Sequence, residues 1–180
     1  MKDKLNIKKE ILQWSFSLVF AVALALVINT FVFARSTVSG SSMLPTLTNN
    51  DSILVEKLSL LTMTIKRGQI IIFNSENERK DIFVKRVIGI EGDEVELKKG
   101  KVYLNGVELK ETYLKENTPT KSGTFLRENQ KLKIAKGSVF VLGDNREVSN
   151  DSRYLGPIIT KEIVGHVIFR AYPFNTIKGF

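Results

Sequence analysis

The sequence predicts a mainly β domain held behind a single N-terminal membrane-spanning helix. Three observations predict it. Residues Ile11 to Ala34, ILQWSFSLVFAVALALVINTFVFA, run for 24 positions without a charge. Beyond Ala34 the apolar residues change from an all-round pattern to alternation, in short Val- and Ile-rich runs punctuated by Gly and Asp. Between KVYL and VEL stands Asn105-Gly106, the pair favoured in a two-residue type I′ hairpin turn because both of its positions need positive φ.

As a helix, the uncharged run would be roughly 36 Å long, enough for a hydrocarbon core of about 30 Å. Trp14, the only tryptophan, lies near one end, where an indole suits the headgroup region. Lys2, Lys4, Lys8 and Lys9 precede the run, and Arg35 is the only basic residue in the twenty positions after it. The positive-inside rule therefore predicts residues 1–10 in the cytoplasm, an anchor helix over 11–34, and residues 35–180 on the extracytoplasmic face of the cell membrane. Val32-Phe33-Ala34 also reads as a processing site, but the apolar run is longer than a secretory signal's core of about 7–15 residues, which favours a retained anchor.

The predicted strands follow in order: DSILVEKL, GQIIIFN, DIFVKRVIGI, DEVELKKGKVYLNGVEL, GSVFVLGD and EIVGHVIFRAYP. A polar stretch, residues 111–131, carries Pro119 and Gly123 and reads as a long loop or excursion. The segment Leu58–Ile65, LSLLTMTI, fits a buried strand, an apolar lip of a cleft, or a patch that meets lipid, with the core reading favoured.

Composition narrows the function classes. At 180 residues and 43% hydrophobic content the chain can bury one core. Its net charge of +8 comes from basic residues interleaved with acids, without a basic block, so it describes a solvated surface or contact with anionic lipid better than a nucleic-acid site. With no cysteine there are neither disulfides nor thiolate metal ligands, and with a single His no metal-ligand spacing is present.

The catalytic inventory is correspondingly short. Ser39, Ser41 and Ser42 are candidate nucleophiles in SGSSMLPTL. His166 is the only imidazole, and a lone His in an apolar strand is more often packed than catalytic. Lys85 is the candidate base. In DIFVKRVIGI, Ile82, Val84, Ile88 and Ile90 form one face, and Phe83, Lys85 and Val87 the other. A lysine in such a strand either reaches past the sheet into water or loses its charge to burial, which produces a general base. A third cluster, GDNREVSNDSRYLG at 143–156, is either a polar turn or a network in which arginines hold carboxylates.

Together, SMLPTL (42–47), VKRVIG (84–89) and GDNREVSNDSR (143–153), in that order behind one anchor, resemble the bacterial type I signal peptidases of the short, single-anchor Gram-positive type. The resemblance covers nearly the whole chain. It implies an antiparallel β-sheet, partial-barrel catalytic domain with a shallow peptide groove, and an endopeptidase that removes signal peptides from exported preproteins through an acyl-enzyme. Ser42 is implied as nucleophile and Lys85 as general base, Ser149 as orienting the lysine amine, Asp151 and Arg153 as a structural pair, and Asp144 as the partner of Arg86. Gly40 stands where some relatives carry an oxyanion-binding Ser or Thr, so the Ser42 backbone N–H is expected in that role, with Ser41 or Ser39 as further donors. Gln69 stands where an acid is common, which is read as neutral for activity. No metal or organic cofactor is implied. The expected partners are signal peptides and the lipid bilayer, not nucleic acid. Two other readings compete: a self-cleaving Ser–Lys repressor, which the uncharged span argues against, and a non-catalytic anchored binding module, which the intact Ser42 and Lys85 argue against.

Overall fold

The computed structural model describes residues 2–58, 64–75 and 81–180, with side chains of the N-terminal helix described over 9–26. Helix α1 (Lys2–Phe31) is long and apolar enough to cross a membrane, with a mean hydropathy of 1.4 over Lys9–Leu26. Every described side chain on it is exposed. An apolar surface exposed on all sides over Lys9–Leu26 suits a lipid environment rather than water. The helix stops three residues before Ala34. Val32 accepts a hydrogen bond from the Lys57 amide, and Phe33–Thr37 already form strand β1, with Phe33 opposite Glu56 and Ala34 opposite Val55. The β-favouring Val32-Phe33 pair thus takes the chain directly from helix into sheet.

The body is antiparallel throughout its named strands. A large sheet orders β1, β2 (Ser52–Glu56), β11 (Ile163–Tyr172), β3 (Ile70–Asn74), β4 (Ile82–Gly89), β9 (Ser138–Leu142) and β10 (Ile158–Ile159), with β12 (Lys178–Gly179) on β11. A smaller sheet orders β7 (Val107–Glu108), β6 (Lys101–Leu104), β5 (Glu94–Lys98) and β8 (Lys131–Lys133). Asn105 and Gly106 have φ of 53° and 81°, the positive pair a type I′ turn demands, and they join β6 to β7.

Central strand β3 shows why GQIIIFN lacks alternation. Ile70 and Ile72 pack with Met43, Leu47, Ile53 and Val55, while Ile71 and Phe73 pack with Val87, Val139 and Val141, so both faces are covered. Strand β4 departs from the predicted faces at its end. The β4–β9 register shifts between Val87 and Gly89, so Ile88 joins the core of the small sheet while Ile90 packs on the side of Phe83 and Val87. Of Leu58–Ile65, residues 59–63 lie outside the described residues; Leu58 is exposed and Ile65 packs against the Phe73 side of the core.

The polar excursion has no strand before β8, yet it is not loose. Thr120 and Leu126 are fully buried, and Leu126 sits with Val95, Leu97, Val102 and Ile134 under the small sheet. Leu126→Ala should therefore lower unfolding free energy by about 2–5 kcal/mol, the usual range for emptying a buried leucine site. Urea denaturation of the detergent-solubilised chain checks this.

Candidate active site

The loop leaving β1 is built to hold Ser42 still. Asp51, buried at the loop's far end, accepts from the Thr48 amide (2.8 Å) and hydroxyl (2.7 Å), and Gly40 N–H donates to Asn49 Oδ1 (2.9 Å). Met43 and Leu47 plug the core on either side of the turn, and Arg170 from β11 donates to Thr46 O (3.1 Å) and pairs with Asp51. Gly40 has a φ of +96°, a conformation that disfavours any side chain two positions before Ser42. The Ser42 carbonyl accepts from the Asn145 amide (2.9 Å), and the Ser41 carbonyl from the Asn145 side chain (3.1 Å). The Ser42 amide makes no hydrogen bond to described residues and is available as a donor.

Lys85, 43 positions away on β4, brings its Nζ to 2.8 Å from Ser42 Oγ and 3.0 Å from Val84 O. Only 3% of Lys85 is exposed. Burial pushes its amine down to about 8, against a smaller upward pull from the Asp151 carboxylate. At pH 7.5 about a quarter of such an amine is neutral, compared with about 0.1% at an ordinary lysine value. In the neutral form Nζ can donate to Val84 O while its lone pair receives the Ser42 hydroxyl proton.

The other buried cations around it all have acids. Arg86 grips Asp144 with Nε (2.9 Å) and Nη2 (2.7 Å) and donates to Gly68 O (2.8 Å). Arg153 grips Asp151 in the same two-pronged way (2.8 and 2.9 Å), and both are fully buried. Asp151 also accepts from the Gly143 amide (3.0 Å) and caps the single turn α2 (Ser152–Leu155). Lys85 has no ion pair among the described residues, which is why burial dominates its titration.

Ser149 lies at the centre of the loop, and its Oγ is buried without a hydrogen-bond partner, Lys85 included. Its packing explains Gly143: a Cβ there would come within 2.2 Å of Ser149 Oγ and 2.5 Å of Ser42 O. A third pair escaped the sequence reading. Arg146, visible in the same box, meets Glu111 of the excursion, and also Thr120 and Gly143 O (3.0 Å). Tyr113 donates to Glu111 (2.6 Å) and lays its ring 4.0 Å from the Arg86 guanidinium carbon, and burial pushes its hydroxyl pKa up. No sequence signal distinguishes Glu111 from the other acids of a polar stretch. His166 is engaged elsewhere, with Nδ1 2.8 Å from Glu56 on β2.

Beside Ser42 and Lys85 opens a cleft of about 600 Å³, with Val38, Ile53, Ile72 and Val84 on its floor and Phe83 and Val148 on its walls. Strand β4 pairs with β9 only from Arg86 onward, so the edge from Ile82 to Lys85 is open on that side. The site combines a held serine, a low-pKa amine, a free amide at the serine and an open strand edge.

The family described as signal peptidase, peptidase S26, matches residues 11–172. The chain is 37% identical over 182 residues to signal peptidase IB of Staphylococcus aureus, covering 95% of this chain and 94% of that protein. It is 38% identical over 181 residues to signal peptidase I of Bacillus amyloliquefaciens, covering 98% and 96%. A crystal structure of a signal peptidase I from Enterococcus faecalis shares 31% identity at a TM-score of 0.47, covering 57% of this chain and 96% of that one.

Removing Asp151 would strand Arg153 in the interior. Asp151→Ala should therefore cost about 3–5 kcal/mol of stability, the range for leaving a buried ion uncompensated. A urea titration in detergent reads the loss.

Proposed function

The chain belongs to the signal peptidase family, peptidase S26, and from that membership we propose that it is a membrane-anchored endopeptidase using Ser42 and Lys85 as a dyad to remove signal peptides from exported preproteins. One observation carries the dyad: a buried lysine amine without an ion pair among the described residues, 2.8 Å from a serine hydroxyl at the edge of a cleft.

Neutral Lys85 Nζ takes the proton of Ser42 Oγ as the oxygen attacks the scissile carbonyl. The developing oxyanion faces the unengaged Ser42 amide, with the exposed Ser41 at its side. Collapse breaks the C–N bond, and the lysine ammonium returns its proton to the leaving amine. Water, deprotonated by Lys85 in its turn, then cleaves the ester and restores the serine. Ser149, whose buried hydroxyl is unpartnered among the described residues, would orient the second N–H of the amine once turned toward it. The pairs Arg86–Asp144 and Arg153–Asp151 hold the surrounding backbone.

The substrate adds as an extended strand along the open edge of β4, with the apolar cleft taking small side chains before the scissile bond. Helix α1 crosses the bilayer with the basic N-terminus in the cytoplasm, which leaves the β body outside. Ser42 follows Ala34 by eight residues, at most about 28 Å of extended chain, so the nucleophile stays close to the surface where a signal peptide's apolar segment ends. Sharing one bilayer raises the effective concentration of enzyme and substrate.

Mass spectrometry of a model preprotein in liposomes should show one cut after a small residue with the wild type. Ser42→Ala and Lys85→Ala should each lower the rate by roughly 10³-fold or more. Retained cutting by Lys85→Ala would remove the lysine from the reaction. An intact substrate with folded wild type would favour an anchored binding module instead.

The pH dependence follows from the amine. Because only neutral Lys85 is a base, kcat/KM should rise with pH up to about 8 and level off above it. Initial rates between pH 6 and 9.5 test the sign: a profile falling across that range would contradict the assignment.

A further inference from the structure

The polar excursion reaches the site through one carboxylate. Arg146 is buried, and its Nη2 lies 2.5 Å and its Nη1 3.1 Å from the two oxygens of Glu111. Its Nε donates to Gly143 O at 3.0 Å. The Gly143 amide is held from the other side by Asp151 at 3.0 Å, so both polar groups of that residue are fixed by charged side chains. Two residues on, the Asn145 amide holds Ser42 O at 2.9 Å. Tyr113, which donates to Glu111, stacks on Arg86 and so touches the pair Arg86–Asp144, whose carboxylate belongs to the residue between Gly143 and Asn145. The circuit closes on the strand that carries Lys85.

From this we propose that Glu111 is a positioning residue: with Tyr113 and Arg146 it clamps the Gly143–Asn145 backbone, and through it sets Ser42 against Lys85. The inference rests on the proposed dyad reaction but concerns a different residue. Glu111 does not line the cleft. Without its charge, Arg146 keeps a buried cation with only neutral acceptors, and the guanidinium is drawn towards water and away from Gly143 O. The nucleophile then loses its fixed approach to the amine, whereas the substrate's strand edge and apolar floor stay in place. A displacement of about 1 Å at reacting atoms can cost about a hundredfold in rate.

The test uses the full chain in liposomes, with Glu111→Gln and the milder Tyr113→Phe beside wild type. Two readouts are taken: steady-state cleavage of a model preprotein, and amide hydrogen exchange over 143–149. Glu111→Gln should lower kcat by about 10- to 100-fold with KM within about twofold, and Tyr113→Phe should lower it by a smaller factor in the same sense. Exchange over 143–149 should speed up by about tenfold while β3 keeps its protection. Unchanged kcat at a temperature where both proteins are folded would overturn the proposal. So would a rise in KM at constant kcat, which would make Glu111 a substrate-binding residue. If folded wild type cuts nothing, the dyad reading has failed, and the exchange rates still decide whether Glu111 holds the loop: unaltered exchange sinks the clamp as well.

Discussion

The structure turns on the burial of one amine that has no ion partner among the described residues. Lys85 sits in the interior of a β sheet at 3% exposure, where an ammonium is strongly disfavoured. A paired carboxylate would resolve the conflict by keeping the lysine charged and unable to act as a base. Here burial instead lowers the amine's pKa to about 8, so that a useful fraction is neutral near physiological pH. Among the described residues, the acids of the buried network are committed to arginines: Asp144 to Arg86, Asp151 to Arg153, Glu111 to Arg146. Each arginine has a far higher intrinsic pKa than a lysine and a two-pronged geometry that matches a carboxylate. The acids are therefore spent on arginines, and the one lysine is left to titrate near neutrality.

This charge balance explains features that look unrelated along the chain. The box 143–153 is crowded with charges because it supplies two acids and two arginines to the network and also the backbone that touches Ser42. Gly143 is small because Ser149 and the Ser42 carbonyl both press on its Cα. The polar excursion, which connects two strands of the small sheet, owes its fixed path partly to Leu126 in the core and partly to Glu111 and Thr120 on Arg146. The Arg153 guanidinium likewise donates to Lys121 O, and the Arg153 backbone carbonyl accepts from the amides of Phe125 and Leu126. A segment of polar composition is thus ordered by the buried guanidiniums it covers.

Much of this was legible in the sequence. Alternating apolar runs located the six principal strand regions, and Asn105-Gly106 marked the β6–β7 turn, because period-two burial and positive φ leave direct traces in residue type. The short strands β1, β8, β10 and β12 left no such trace. They bury few side chains and exist because a neighbouring edge offers hydrogen bonds, which residue type does not record. The apolar run extends three residues beyond the end of helix α1 for the same reason: Phe33 and Ala34 are apolar, and the edge of β2 pairs with them.

By itself the sequence determined the apolar N-terminal segment, the β class of the body, the family, and the candidate residues in three boxes, since each depends on local pattern or on short ordered motifs. Only the tertiary structure decided what those residues do to one another. It brought Ser42 and Lys85 together across 43 positions, left the Ser149 hydroxyl without a partner among the described residues, and took His166 to Glu56. It also drew Glu111 out of a featureless polar stretch into the buried network. The physical reason is that a group's charge state and reach depend on burial and on which oppositely charged groups remain unpaired, and both are properties of the packed chain as a whole.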